Sequence, residues 1–193
     1  MFKILAEISA RHIHLEKKHF EILFGSEEKL KSIRNISQPG EFAAEQTLIL
    51  KTPKVDIKRV RIVGPLREQT QVEISKTDAR NLGLNPPIRI SGNLNKSEKG
   101  ELIGPIGKVD LFQGIIIAQR HLHLDSETAL KNNLKNQEIV SVRIGSKNRL
   151  TTFHQVVVRV SSKFKNSFHL DTDESNAAGL IGGEEGIVIK NNE

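Results

Sequence analysis

Short apolar runs rich in β-branched residues recur along the whole chain, and turn-forming pairs such as Pro39-Gly40 and Gly64-Pro65 separate them. Strands of this length and close spacing are typical of a β-sandwich or β-barrel rather than of alternating βα units. The predicted strands cover residues 2–8, 47–50, 57–63, 71–75, 88–91, 115–118, 138–144, 153–160, 168–171 and 187–189. The pattern therefore predicts a mainly β fold.

Helical periodicity is confined to short segments. The apolar stripe of residues 16–24 predicts one helix. Two more helices are predicted at residues 27–33 and 127–134, because each segment follows a serine that can cap it. The polar, glycine-flanked segment 91–100 predicts a mobile surface loop. The helices are narrow in their apolar faces, so we expect them to cover a β core.

Composition excludes several kinds of chemistry. The 193 residues include no cysteine, which excludes disulfides, thiolate nucleophiles and cysteine metal ligands. No apolar run approaches the roughly 20 residues of a spanning helix, and the first residues have the pattern of a strand rather than of a secretory signal. We therefore expect a cytoplasmic protein without a membrane partner. The net charge of +6 favours a polyanionic partner, either nucleic acid or a small phosphorylated ligand.

The chain contains an internal duplication. The segment RHIHL at residues 11–15 returns as RHLHL at residues 120–124, with four of the five positions identical. A second match aligns residues 72–84 with residues 168–180 without a gap. Each half of the chain thus contains an HxH pair followed by a related downstream strand.

The duplicated positions have the spacing of a chelating site. In a strand, residues i and i+2 point to the same side, so the two imidazoles of each HxH pair share a face. Glu73 aligns with His169, and both occupy polar positions of their strands. Three ligands in each half leave a fourth position open, as in a catalytic zinc site. The predicted metal ligands are His12, His14 and Glu73 in one half, and His121, His123 and His169 in the other.

Zinc is the metal that these ligand types favour, and cobalt, nickel, manganese and iron also suit them. The alternative is a purely structural repeat, in which Arg11 and Arg120 stack or form ion pairs and the imidazoles are ordinary hydrogen-bonding groups. Arg67 lies six residues before Glu73, beyond a Gly-Pro turn. Its guanidinium can bind a phosphate or carboxylate through two parallel hydrogen bonds; the alternative is a solvated loop arginine.

Nearly the whole chain resembles a known family. The resemblance is to the PduL-type phosphate acyltransferases, the propanediol-utilisation phosphotransacylases, and it rests on seven ordered blocks. They are SARHIHL at 9–15, QPGEFAAEQ at 38–46, VGPLREQTQVEIS at 63–75, TDARNLGL at 77–84, PPIRISGNL at 86–94, RHLHLD at 120–125 and HLDTDESNAAG at 169–179.

The resemblance implies a fold of two β-barrel domains related by internal duplication and capped by short α-helices. It implies that residues 11–118 form one barrel. Residues 1–10 and 119–193 then form the other barrel, which the N-terminal strand completes.

The resemblance also implies an activity: transfer of a short acyl group, acetyl or propanoyl, between coenzyme A and inorganic phosphate, with two zinc ions per chain. The family's zinc ligands match the six residues that the duplication selects. Arg67 matches the arginine that holds phosphate, and Gln38, Pro39 and Gly40 match a segment that contacts coenzyme A. The expected partners are acyl-CoA and phosphate, without nucleic acid, and a homo-oligomer is allowed.

Many members of the family carry an N-terminal extension that directs them into a bacterial microcompartment. Here the first residues already have the pattern of the strand leading into SARHIHL, so we expect a free cytoplasmic enzyme. Two alternatives of other kinds stay open: a metal-dependent acyl-CoA hydrolase, and a basic β-barrel that binds nucleic acid. Barrels that bind single strands generally use aromatic stacking platforms, and only 4% of this chain is aromatic.

Overall fold

The structure is a computed structural model, and it describes residues 1–190. Over this range the chain forms fourteen strands and four short helices, so the predicted mainly β fold is confirmed. The strands are β1 Phe2–Ser9, β2 His12–His14, β3 Ser32–Asn35, β4 Phe42–Lys51, β5 Ile57–Gly64, β6 Gln71–Glu73, β7 Ile88–Arg89, β8 Glu98–Ile103, β9 Lys108–Ala118, β10 His121–Leu124, β11 Ile139–Ile144, β12 Thr151–Val160, β13 Ser167–Asp171 and β14 Glu185–Lys190. The helices are α1 Lys17–Phe24, α2 Lys76–Leu82, α3 Ser126–Lys131 and α4 Thr172–Ala178.

The chain divides into two compact units. The first contains Met1–Ser9, Ser37–Pro39 and the described residues from Gln119 onward, and the second contains Ala10–Ile36 and Gly40–Ala118. Three residues of the QPG-containing segment, 37–39, therefore group with the first unit, although they lie in the middle of the sequence of the second.

The first unit is a closed six-strand barrel. Its strands follow one another around the barrel in the order β1-β13-β10-β12-β11-β14. Two of its neighbouring pairs are parallel, β1 with β13 and β10 with β12, and the other pairs are antiparallel.

The second unit also closes through six strands. The pairings run β9-β6-β2-β5-β4-β8 and return from β8 to β9, while β3 extends the sheet beside β4 and β7 beside β9. Strand for strand, the order and the parallel or antiparallel sense match those of the first barrel. The predicted pair of duplicated barrels is therefore confirmed.

The duplication exchanges one strand between the barrels. Strand β1 leads along the chain into the HxH strand β2, but it pairs in the first barrel with β13 and β14. Strand β9 leads into the HxH strand β10, but it pairs in the second barrel with β6 and β8. Each barrel is thus completed by the strand that precedes the HxH pair of the other.

Alternation along the short strands separates the core from the candidate ligands. Ile13 and Val72 are fully buried within the apolar cluster of the second barrel, and Leu122 and Phe168 occupy the same places in the first. Because neighbouring residues in a strand point to opposite faces, the histidines and Glu73 on either side of these residues lie on the outer face of their barrels.

Two of the three predicted helices are confirmed with shifted ends, and one is wrong. Helix α1 begins one residue later than predicted, and α3 is shorter than predicted and is capped by Asp125 instead of Ser126. Residues 27–33 are not helical, and β3 begins at Ser32. The reason is a competing partner: the Lys31 carbonyl accepts from the Glu45 N–H at 2.7 Å, and the Lys31 N–H donates to the Gln46 side chain at 3.1 Å.

The predicted loop 91–100 runs into strand β8 at Glu98, a strand that the sequence pattern does not predict. None of the helices within residues 1–190 combines the length and apolar character needed to cross a membrane.

Candidate functional site

The first candidate site lies where β2 pairs with β6 in the second barrel. In this antiparallel register His12 stands opposite Glu73, and His14 stands opposite Gln71. The Nε2 atoms of the two histidines are 3.1 Å apart, and the His12 Nε2 is 3.7 Å from Oε2 of Glu73. The structure therefore brings together the three predicted ligands of this half of the chain.

Hydrogen bonds to backbone carbonyls orient both imidazoles. The Nδ1 of His12 is 2.8 Å from the Ala10 carbonyl, and the Nδ1 of His14 is 3.1 Å from the Val63 carbonyl. A proton on Nδ1 leaves the Nε2 lone pair available to a cation, which is the usual arrangement of a metal-ligating histidine.

Burial and positive charge keep His14 neutral. Desolvation in its buried position lowers the pKa of His14 well below its usual value of 6.5, and the neighbouring charges of His12 and Arg67 lower the pKa further. The hydrogen bond to Val63 acts in the opposite direction but does not compensate. A neutral imidazole is the form that binds metal.

Arg67 is positioned beside this cluster by its backbone and by its side chain. Its N–H donates to the Leu15 carbonyl at 2.7 Å, directly after the HxH strand. Its guanidinium donates to Oε1 of Glu41 at 2.8 Å and to Oγ of Ser91 at 3.3 Å, and about a third of the side chain is exposed. Its charge also contributes to the lowered pKa of His14.

Gln71 connects the arginine to the ligand carboxylate. The Gln71 side-chain amide donates to Oε1 of Glu73 at 2.6 Å and to Oγ of Ser91 at 2.8 Å, while its carbonyl accepts from the Gly92 N–H at 2.7 Å. Ser91 is thus a shared partner of Gln71 and Arg67. The sequence pattern does not indicate Gln71, Ser91 or Glu41 as parts of the site.

The second candidate site occupies the equivalent position in the first barrel. Strand β10 pairs with β13 so that His121 stands opposite His169 and His123 stands opposite Ser167. The rings of His121 and His169 are stacked with centroids 4.8 Å apart, and the His123 ring lies 4.5 Å from that of His169. The other three predicted ligands are therefore also brought together.

Side chains surround His169 on its Nε2 edge. The Ser167 hydroxyl lies 2.8 Å from Nε2, and Oε2 of Glu7 lies 3.3 Å away. Gln38 donates to Oγ of Ser167 at 2.9 Å and approaches the same Nε2 at 3.5 Å. Register alone identifies Ser167, because it aligns with Gln71 in the duplication, but no pattern in the sequence indicated Glu7.

The three residues of the predicted coenzyme A segment differ in their surroundings. Gln38 is 4% exposed. Its side-chain N–H donates to the Lys165 carbonyl at 2.9 Å, and its side-chain oxygen accepts from the Lys165 N–H at 3.2 Å. Pro39 groups with the first unit. Gly40 has a positive φ of 82°, and no atom lies within 4 Å of the place where a Cβ would stand.

The arginine that precedes each HxH pair forms an ion pair with the helix that follows the third ligand. Arg11 donates to Asp78 of α2 and Arg120 donates to Glu174 of α4, each at 2.6 Å. Both ion pairs fit the structural repeat that was the alternative to a metal site. The clustering of the imidazoles fits the metal site.

Both clusters suit a single metal ion each. Zinc–ligand bonds of about 2.0–2.1 Å in tetrahedral geometry place neighbouring ligand atoms about 3.3 Å apart. The separations of 3.1 and 3.7 Å in the first cluster bracket this value, and in each cluster one ligand atom per residue lies within 4.8 Å of the others. Nitrogen and carboxylate donors of this kind suit zinc and related divalent metals.

A pair of duplicated six-strand barrels, each with three ligand-type side chains on its outer face, defines a twin-barrel protein with two candidate metal centres. The family model of phosphate propanoyltransferase matches residues 5–181. The chain belongs to the phosphate propanoyltransferase family, and it is an enzyme of the phosphate acyltransferase class, as the sequence resemblance predicted.

Curated relatives agree with the family model over most of the chain. A phosphate propanoyltransferase of Thermotoga maritima is 42% identical over 97% of this chain and 89% of its own length. One from Alkaliphilus metalliredigens is 46% identical over 97% of this chain and 88% of its own length. One from Salmonella typhimurium is 44% identical over 89% of this chain and 81% of its own length.

Proposed function

We propose that the enzyme is a zinc-dependent phosphate acyltransferase that interconverts short-chain acyl-CoA and phosphate with acyl phosphate and coenzyme A. The acyl group is acetyl or propanoyl. The observation that carries the proposal is the close association of Arg67 with one of two duplicated clusters of metal ligands. An arginine beside a cation site is suited to hold the anionic substrate of this reaction.

The residues proposed to hold one zinc ion are His12, His14 and Glu73, and those proposed to hold the other are His121, His123 and His169. When bound, the two ions supply positive charge that offsets the charge of phosphate and of the oxyanion formed from the thioester carbonyl. The protein contributes imidazoles held in orientation by backbone carbonyls, and burial keeps that of His14 neutral.

Arg67 is proposed to bind phosphate. Its guanidinium presents a planar set of donors that matches two phosphate oxygens, which a lysine cannot reproduce. Ser91 and Gln71 hold that guanidinium and the Glu73 carboxylate in one hydrogen-bonded network. This network fixes the distance between the phosphate-binding group and the ligand cluster.

The proposed transfer is direct. A phosphate oxygen attacks the thioester carbonyl, a carbon–oxygen bond forms, the carbon–sulfur bond breaks, and coenzyme A leaves as its thiolate or thiol. A covalent acyl-cysteine is excluded because the chain has no cysteine. Radiolabelled acyl group that stayed on the protein after removal of coenzyme A would contradict the direct route.

Coenzyme A is proposed to contact the segment of Gln38, Pro39 and Gly40. The open space at Gly40 supports this assignment, because backbone groups there can approach a ligand closely. The buried Gln38 amide instead holds the segment in place, because it donates hydrogen bonds to the Lys165 carbonyl and the Ser167 hydroxyl. We also propose that residues 11–118 form one domain of the enzyme and that residues 1–10 with the described residues from 119 onward form the other. We further propose that the enzyme acts in the cytoplasm.

One assay tests the proposed function against its alternatives. Release of free thiol from acetyl-CoA and propanoyl-CoA is measured with and without phosphate, before and after removal of metal by a chelator. We expect release that requires both phosphate and metal. Release without phosphate would indicate a metal-dependent hydrolase, and no release under any condition would contradict the proposed reaction.

Removing the charge of Glu41 is expected to strengthen phosphate binding. Glu41 forms an ion pair with the Arg67 guanidinium at 2.8 Å and would compete with phosphate for that guanidinium. Because partly exposed ion pairs contribute about 0.2–1 kcal/mol, we expect Glu41→Gln to lower the KM for phosphate by a factor of about 1.4 to 5. Initial rates at varied phosphate measure the effect, and Glu45→Gln serves as control, because Glu45 is an exposed carboxylate of β4, the strand that begins directly after Glu41. A higher KM in Glu41→Gln would show that Glu41 orients Arg67 instead.

A further inference from the structure

The two ligand clusters differ in charge although their strands match. The first includes the carboxylate of Glu73, whereas the second consists of three imidazoles. A divalent ion held by three neutral imidazoles keeps its full charge at a site where two of the three side chains are largely excluded from water. A partly buried charge of this kind requires a nearby opposite charge.

Glu7 is a carboxylate at the second cluster. Strand β1 pairs in parallel with β13 so that Glu7 stands beside His169. Its Oε2 lies 3.3 Å from Nε2 of that histidine and accepts a hydrogen bond from the Ser37 hydroxyl. About three quarters of the Glu7 side chain is shielded from solvent.

The equivalent position in the other barrel is apolar. There β6 pairs in parallel with β9 so that Ile116 stands beside Glu73, and Ile116 is fully buried. Each copy therefore has one carboxylate, but it lies on the ligand strand in one copy and on the adjacent strand in the other. Where the ligand is Glu73 the adjacent strand supplies isoleucine, and where the ligand is His169 the adjacent strand supplies Glu7.

The described contacts of His169 at Nε2 are with side chains, whereas three other histidines contact backbone carbonyls through Nδ1. The Nδ1 atoms of His12, His14 and His121 each contact a backbone carbonyl, at 2.8, 3.1 and 2.8 Å. The Nε2 edge of His169 instead faces the Ser167 hydroxyl and Glu7. Metal-ligating histidines commonly donate their second N–H to a carboxylate, which fixes the ring and raises its basicity.

We propose that Glu7 is the positioning carboxylate of the three-histidine metal centre. It accepts a hydrogen bond from His169 and supplies the negative charge that the three histidines lack. Glu7 is not itself a catalytic residue. This inference rests on the proposed function, because it assumes that the second cluster holds a metal ion.

The test measures metal affinity at the second site alone. In a His12→Ala background, which removes the first site, zinc binding is measured by competition with a chromophoric chelator, and cobalt binding by visible absorption. We expect Glu7→Gln to raise the dissociation constant of the remaining ion by about 10–100-fold and to alter the cobalt spectrum. Glu7→Asp, which keeps the charge, should restore part of the affinity.

Glu185→Gln is the matched control, since Glu185 is an exposed carboxylate of the same barrel that pairs with Lys3. Circular dichroism of the metal-free variants checks that Glu7→Gln is folded. Equal affinity in Glu7→Gln and the parent would overturn the role of Glu7 and leave the proposed function intact. Failure of the unsubstituted enzyme to bind two ions would overturn the metal assignment itself.

Discussion

Replacement of Arg67 by lysine is expected to weaken the use of phosphate far more than the binding of acyl-CoA. The guanidinium can hold two phosphate oxygens in parallel hydrogen bonds, whereas an ammonium acts as a single point charge. For Arg67→Ala, we expect a loss of roughly 10²–10³-fold in kcat/KM for phosphate, the cost typical of removing one preorganised donor. Arg67→Lys should recover only a small part of this loss.

Steady-state rates at varied phosphate and at varied acyl-CoA separate the two effects. Arg34→Lys provides a control, because Arg34 is exposed on β3 of the same unit. Equal losses toward both substrates would mean that Arg67 holds the structure together, through its backbone bond to Leu15 and its contact with Ser91, and does not bind phosphate.

Substitution of one histidine in either HxH pair is expected to remove one metal ion per chain. His12→Ala leaves the first cluster with two ligands, and His121→Ala does the same in the second. We expect each variant to retain one of the two proposed ions, and the double variant to retain none. Activity should fall by more than the roughly 10–100-fold that follows loss of an outer-shell partner.

Elemental analysis of the purified variants, dialysed against metal-free buffer, gives the stoichiometry. His154→Ala is the matched control, because this exposed histidine has no counterpart in the duplication and bonds to Ser141 at 2.9 Å. An unchanged ratio of metal to protein in His12→Ala or His121→Ala would show that the corresponding cluster does not bind the ion.

The duplication made the grouping of the candidate ligands predictable. Alternation about the buried Ile13 and Val72 puts the polar residues of those short strands on one face. The repeat then pairs each HxH with one downstream residue, Glu73 or His169. The repeat identifies these positions, and the β2–β6 and β10–β13 registers of the structure show how they come together.

Helices α2 and α4 could also have been predicted. Each begins after a capping side chain, Ser75 or Asp171, that accepts from a backbone N–H three residues later. Each ends at a glycine with a left-handed backbone, Gly83 or Gly179. These are recognisable start and stop signals. Hydrophobic periodicity does not predict them, because the apolar stripes of such short helices are too narrow to produce a clear period.

Contacts made across long distances in the sequence were beyond reach. The error at residues 27–33 arose because the partner that keeps Lys31 out of a helix lies on β4. Glu7 reaches His169 only because β1 joins the strands of the C-terminal half. Local propensity contains no information about such partners, so neither feature follows from the pattern around it.

The exchange of β1 and β9 has a consequence for the order in which the protein can be made. The second barrel cannot close until β9 has left the ribosome, although its other strands emerge earlier. The first barrel requires β1, which precedes all its other strands in the sequence, to wait for β13 and β14. Neither half of the sequence contains a complete barrel, so a gene cut at the repeat boundary would encode two fragments that must find each other before either ligand cluster is framed by its full set of strands.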